Sequence, residues 1–316
     1  MLTMKGFLIS GASILAVVTV GSLFFFNQIK IATKQPIEFI NDIYLTDKNL
    51  QTANVEPVAS STNATAMMIT FSTSTELVDL VPHLSNRQTK NAVRVSILVY
   101  HSVAPFYPHQ SLANRVWTVT PEIFEQQLKY LKDNGYTTIS FADLNNHFAS
   151  STPLPAKPVI LSFDDGWKNQ YRNAFPLLKR YGLTAAFFVF TNAIGHPNYF
   201  SWDELREIQT AGMTVGDHTM YHPYLYKIAD EKVLQKEIIT SKEILEKNLG
   251  KRIDDFAYPF GHVSNKSLEM VKIAGYKTAR TNGYVGSWHT ADDLYTLRSY
   301  NAQNDLQKFI FYLNSN

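Results

Sequence analysis

At 316 residues, with 45% apolar residues, 13 prolines and 14 glycines, the chain has the composition of a globular protein of one large or two ordinary domains, which excludes collagen-like and wholly disordered classes. Lysine plus arginine (29) nearly balances aspartate plus glutamate (27), for a formal net charge of +2 with no basic block to grip a phosphate backbone, so nucleic acid is not an expected partner. Cysteine is absent, which removes disulfides, thiolate metal sites and cysteine nucleophiles together, so any metal must sit on His, Asp or Glu.

Gly6 to Phe26 is an uncharged run of apolar and small residues. A bilayer-spanning helix needs roughly 20 such residues, so residues 1–30 are read as a single-pass membrane anchor. Only Lys5 precedes the run and Phe24-Phe25-Phe26-Asn27 ends it, which fits a retained anchor better than a cleaved signal peptide. The rest of the chain is placed outside the cell. Residues 31–90 are polar and rich in Ser, Thr and Asn, as in a stalk or linker, with a short apolar patch, Ala66 to Phe71, that could add a strand.

From Val93 the pattern changes, and residues 91–316 read as one catalytic domain. Apolar β-type runs are expected at Val95 to Tyr100, Thr137 to Ser140, Val159 to Phe163, Ala185 to Phe190, Met213 to Gly216, Asp255 to Tyr258, Lys277 to Arg280 and Tyr295 to Tyr300. Amphipathic helices are expected at Pro121 to Asn134, Asn169 to Tyr181, Trp202 to Ala211, Asp230 to Leu249 and Asn265 to Ala274. Gly135, Gly182, Gly212, Gly250 and Gly275 stand where a helix C-cap takes a left-handed residue. The alternation predicts an α/β fold with a parallel sheet covered by helices, either a barrel or a doubly wound sheet.

Polar residues collect at the carboxyl ends of these strands. His101 follows the first, Asp164 and Asp165 the third, His218 and His222 the fifth, and Tyr258-Pro259-Phe260-Gly261 the sixth. In a β/α barrel those ends form one face, where active sites are built. His218 and His222 lie four residues apart, as in other paired-histidine metal sites, and Pro223 predicts a loop rather than a helix between them. With a carboxylate from another strand end they make a two-histidine, one-carboxylate site that leaves positions open for water and substrate.

The segments Ser162-Phe163-Asp164-Asp165-Gly166, His218-Thr219-Met220-Tyr221-His222 and Tyr258-Pro259-Phe260-Gly261 resemble the first three motifs of the polysaccharide deacetylases, carbohydrate esterase family four, across roughly Val93 to Tyr300. The resemblance implies an irregular (β/α) barrel with fewer than eight strands. It also implies a divalent ion, Zn²⁺ first and Co²⁺, Ni²⁺ or Fe²⁺ as alternatives, on Asp165, His218 and His222, with Asp164 as general base. Two positions depart from the family. Many members carry an arginine in the third motif that orients the base, and here Ala257 stands in its place, so Arg298 is the expected substitute. The C-terminal motif that supplies a histidine acid is also missing. Val99-Tyr100-His101-Ser102 resembles the segment in which the poly-β-1,6-N-acetylglucosamine deacetylases carry that acid, which assigns it to His101.

The expected reaction is hydrolysis of acetamide groups on N-acetylglucosamine residues of an extracellular polysaccharide. The β-1,6 polymer is favoured over peptidoglycan. The amide N–H of Phe260 is the expected oxyanion donor, since Pro259 has none, and Trp167, Tyr258 and Phe260 are expected against the sugar. A glycoside hydrolase would need two carboxylates flanking one bond, about 5 to 9 Å apart, which neighbouring Asp164 and Asp165 meet poorly. A non-catalytic cell-surface glycan binder would leave the metal ligands, base and acid without a purpose.

Overall fold

The structure, a computed structural model, describes the backbone of residues 15–20, 26–32, 54–58 and 66–70 and the full chain over 91–282 and 285–315. The chain divides into two compact units, Met1–Asn86 and Arg87–Asn316.

In the first unit Leu15–Val20 is a strand paired antiparallel with Phe26–Ala32, in a four-stranded sheet completed by Ala66–Thr70 and Asn54–Val58. This departs from the helix expected over Gly6 to Phe26. Val17, Val18, Thr19 and Val20 are β-branched, and such side chains lose rotamer freedom in a helix but fit a pleated strand. Residues 6–14 and 21–25 of that run lie outside the described residues. Among the described residues no helix is long and apolar enough to cross a membrane. Most of the expected stalk over 31–90 also lies outside the described residues, and the patch at Ala66 to Phe71 forms its strand over Ala66–Thr70.

The second unit is built on one parallel sheet: β1 (Ser96–Tyr100), β2 (Thr137–Thr138), β3 (Pro158–Phe163), β4 (Ala186–Val189), β5 (Thr214–Asp217), β6 (Asp255–Ala257), β7 (Thr278–Arg280) and β8 (Tyr300–Asn301). Its spatial order is β7-β6-β5-β4-β3-β1-β8, and β2 pairs with β3 off this path. Every pairing within it is parallel. β7 also bridges to Leu297, three residues before β8, so the sheet bends round toward closure through a short irregular contact.

Buried β1, β3 and β4 read as continuous apolar runs because both of their faces are covered. The helices between them form where expected, including Pro121–Asp133 capped by Thr120 and Trp202–Thr210 capped by Ser201. Gly182 and Gly250 close theirs at φ 62° and 64°, a conformation that disfavours any side chain. Two helices, Phe141–Ser150 and Leu306–Asn314, were not expected from periodicity. The first is marked by a capping box between Ser140 and Asp143, and the second by Asp305, which accepts from the amides of Gln307 and Lys308. The expected last strand, Tyr295 to Tyr300, is reduced to Tyr300–Asn301, because Ala291–Asp293 forms a 3₁₀ turn just upstream.

Candidate metal centre and its catalytic neighbours

Asp164 follows directly on β3 and is buried, and the chain then turns sharply: Asp165 takes φ 71° and Gly166 φ 72°. A side chain at Gly166 would meet Val189 and Phe200, so the turn needs glycine. This kink aims two neighbouring carboxylates at different partners. Asp165 Oδ1 lies 3.6 Å from Nε2 of His218 and 3.3 Å from Nε2 of His222, and one ligand atom from each residue falls within 4.8 Å of the others.

The histidines come from the loop after β5, which is not helical, as Pro223 predicts. Thr219 and His222 take φ of 72° and 58°. With Asp165 and Phe260 (φ 59°), these are four of the six non-glycine residues with positive φ among the described residues. Such conformations cost of order 1–3 kcal/mol each and persist where surrounding structure fixes them. Here the fixing groups are two buried acids. The Glu237 carboxylate accepts from the amides of Met220 and Tyr221 at 3.1 and 2.9 Å. Asp217 Oδ1 accepts from Thr219 N–H and the Ser241 hydroxyl, both at 2.8 Å, while Tyr276 donates to its Oδ2 at 2.5 Å. Burial pushes Asp217 up to about 7, against the pull of these donors.

The donor set fits a divalent ion. His218 Nδ1 lies 2.7 Å from the Ala257 carbonyl, which can only accept, so Nδ1 carries the proton and Nε2 presents its lone pair. Burial lowers His218 to about 3, so the imidazole is neutral at pH 7, as a metal ligand must be. Burial alone would raise Asp165, but the hydrogen bond from His222 and the neighbouring imidazoles outweigh it and hold the carboxyl well below its usual range. Trp167 Nε1 donates to the other oxygen, Oδ2, at 2.9 Å, and the indole stacks on Tyr199. Trp167 therefore orients the Asp165 carboxylate, a role distinct from the sugar stacking expected of it.

Asp164 is held separately. Its Oδ1 accepts from Nη2 of Arg280, which is fully buried at the end of β7 and also donates from Nε to Ser162 Oγ at 3.0 Å. Burial lowers Arg280 to about 9, which leaves the guanidinium charged at neutral pH. Arg298, the expected partner of Asp164, instead donates to the Trp288 carbonyl and to Asp293. Arg280 is the register partner of Ala257 on the adjacent strand, so the cation missing at Ala257 is supplied one strand over.

On the other side of Asp164, His101 Nε2 stands 3.9 Å from Oδ2. The His101 ring packs 4.7 Å from that of Trp117, which is 43% exposed and carried no signal in the sequence. Burial, opposed by Asp165 and reinforced by Arg280 and His222, lowers His101 to about 4. Gln170 ties the two strand ends together by donating to the carbonyls of His101 and Asp164.

Of the remaining expected residues, Phe260 is at the site, with its ring 4.6 Å from that of His222. Tyr258 is not on the open face. It is fully buried against Phe256, and burial raises its hydroxyl, which has no hydrogen-bond partner among the described residues. An aromatic at a strand end reads alike in sequence whether it points inward or out.

Residues 151–279 match the family model for polysaccharide deacetylase. Among curated proteins, the putative polysaccharide deacetylase YxkH of Bacillus subtilis is 26% identical over 194 residues, covering 61% of this chain and 66% of its own. The poly-beta-1,6-N-acetyl-D-glucosamine N-deacetylase of Staphylococcus aureus is 28% identical over 174 residues, covering 51% of this chain and 60% of its own. The alignments thus span at most about two thirds of these relatives. Among solved structures, the Streptococcus pyogenes deacetylase PplD, in complex with acetate, superimposes with TM-score 0.66 at 28% identity, covering 70% of this chain and 99% of that one. The matched stretch holds the candidate metal triad, Asp164 and the Tyr258–Gly261 turn. Residues 151–279 are thus identified as a polysaccharide deacetylase domain.

Proposed function

We propose that the protein hydrolyses the acetamide of N-acetylglucosamine residues in an extracellular polysaccharide, poly-β-1,6-N-acetylglucosamine in preference to peptidoglycan, and releases acetate. The observation that carries this reading is the meeting, on one strand-end face, of the Asp165, His218, His222 group with an Asp164 flanked by Arg280 and His101. The preference for the β-1,6 polymer rests on His101 at the end of the first strand and on the likeness to the staphylococcal enzyme. An exported catalytic unit fits a substrate outside the cell, and the uncharged run Gly6 to Phe26 supports export. The anchor expected there has no described helix behind it.

Asp165, His218 and His222 would hold the divalent ion, Zn²⁺ by choice of ligands. Bound there, it supplies Lewis acidity, which activates an unreactive amide and eases the ionisation of water. Asp164 accepts the proton of the attacking water, with Arg280 fixing the orientation of its carboxylate. The Phe260 amide is the donor assigned to the oxyanion. His101 is neutral at rest at pH 7, so the proton it gives to the departing amine must come from the reaction. The Asp164 carboxyl, 3.9 Å away, is the nearby source.

The purified protein with added Zn²⁺ is expected to release acetate from β-1,6-linked N-acetylglucosamine oligomers faster than from peptidoglycan. A chelator should stop release and fresh metal restore it. Reducing sugar in place of acetate would reject the reading, and faster release from peptidoglycan would reject the polymer. His101→Gln is expected to lower turnover by about 10²–10⁴, the usual worth of a positioned acid. Unchanged turnover would remove His101 from the mechanism.

A further inference from the structure

The metal loop does not end at His222. It continues through Pro223 into a 3₁₀ turn, Leu225–Lys227, pinned by Leu225, which is fully buried. The residues on either side of that pin, Tyr224 and Tyr226, face outward and are 37% and 43% exposed. Tyr224 stacks flat on Phe260, with centroids 3.8 Å apart and planes 12° from parallel, and Phe260 in turn packs on His222. Tyr226 stands at 81° to Tyr224 and 5.2 Å from His262. Lys227 Nζ sits in the corner between the two tyrosines, 4.6 Å from one ring and 5.6 Å from the other. It pairs with no carboxylate among the described residues.

An aromatic step of this kind, open to water and continuous with a metal ligand, is not explained by core packing. It suits the C–H face of a pyranose ring, which stacks on aromatic faces while its hydroxyls stay wet. The cation in its corner is stabilised by both rings and offers only hydrogen-bond donors. A neutral N-acetylated sugar brings a carbonyl acceptor to such a group. A deacetylated sugar brings an ammonium, which the lysine repels.

We infer that Tyr224, Tyr226 and Lys227 form a subsite for the sugar adjacent to the one being deacetylated, and that it accepts an acetylated neighbour and disfavours a deacetylated one. This rests on the deacetylase reading and adds to it a rule for the product. Deacetylation spaces itself along the polymer instead of running through contiguous residues.

The test uses the full chain with Zn²⁺, a fully acetylated pentamer and the matching disaccharide, with products sequenced by mass spectrometry. Wild-type products should carry glucosamines separated by acetylated residues, and Lys227→Gln should raise the share of adjacent glucosamines at least threefold. Tyr224→Ala should lower kcat/KM on the pentamer at least tenfold, mainly through KM, with a smaller loss on the disaccharide, and Tyr224→Phe should retain most of the pentamer rate. Contiguous glucosamines from the wild type, or a pattern unmoved by Lys227→Gln, would overturn the charge selection. Equal losses on both substrates for Tyr224→Ala would overturn the subsite. No acetate from the wild type on any oligomer would instead bring down the deacetylase reading beneath it.

Discussion

Asp164→Asn is expected to bind one metal ion as tightly as the wild type and to lose acetate release by about 10²–10⁴-fold, the range for removing a positioned general base. The separation follows from the turn at Asp165 and Gly166. Asp165 alone of the two acids reaches the histidines, so the ligand set is intact in the variant. Asparagine preserves the shape of Asp164 and keeps an oxygen that can accept from Arg280, which limits rearrangement in a buried position. What it lacks is the capacity to accept a proton. Metal content by atomic absorption and affinity by titration calorimetry, measured beside acetate release, check both halves. Retention of more than a tenth of the activity would exclude Asp164 as the base, and loss of metal would move it into the ligand set.

The parts of this site that were legible in the sequence share a property: residue type and local spacing suffice to find them. Asp165, His218 and His222 are recognised because few residues bind metals and because each follows a buried strand. The loop character of His218 to His222 was legible through Pro223, which restricts the residue before it. What sequence did not supply is which side chain of a strand points into the barrel and which strands stand side by side. Arg280 and Arg298 both close apolar runs late in the chain, and only the register of β6 against β7, Ala257 opposite Arg280, distinguishes the one that reaches Asp164. Tyr258 failed for the same reason, since its ring turns into the core. Glu237 lies in a π-helical turn, Lys236–Thr240, where nothing in the sequence links it to the loop it clamps. Asp217 was closer to view, directly before His218 at the end of β5, but its work is with backbone amides and hydroxyls that only the fold brings to it. In the run from Gly6, length favours a helix while the β-branched Val17 to Val20 favour the strand formed by Leu15–Val20.

Arg280→Ala should therefore be the most damaging single change outside the metal ligands. Removing one partner of a buried ion pair leaves the other charge without compensation, at a cost of about 3–5 kcal/mol. That is a large part of the stability of an ordinary domain, so the urea midpoint is expected to fall sharply. The chemical consequence is separate. A carboxylate buried without its cation is driven towards the protonated form, in which Asp164 can no longer take a proton from water. Both losses follow from one contact, and a second variant tells them apart from a general disturbance of the core. Because Ala257 and Arg280 are register partners on adjacent parallel strands, the exchanged pair Ala257→Arg with Arg280→Ala returns a guanidinium to the neighbourhood of Asp164 from the other strand. The exchange is expected to recover at least tenfold of the activity lost in Arg280→Ala, with a higher urea midpoint than that single variant. If the exchanged protein folds as stably as the wild type yet stays as inactive as Arg280→Ala, the guanidinium does more for Asp164 than neutralise it, and its place on β7, anchored by Ser162, is part of the geometry the base requires.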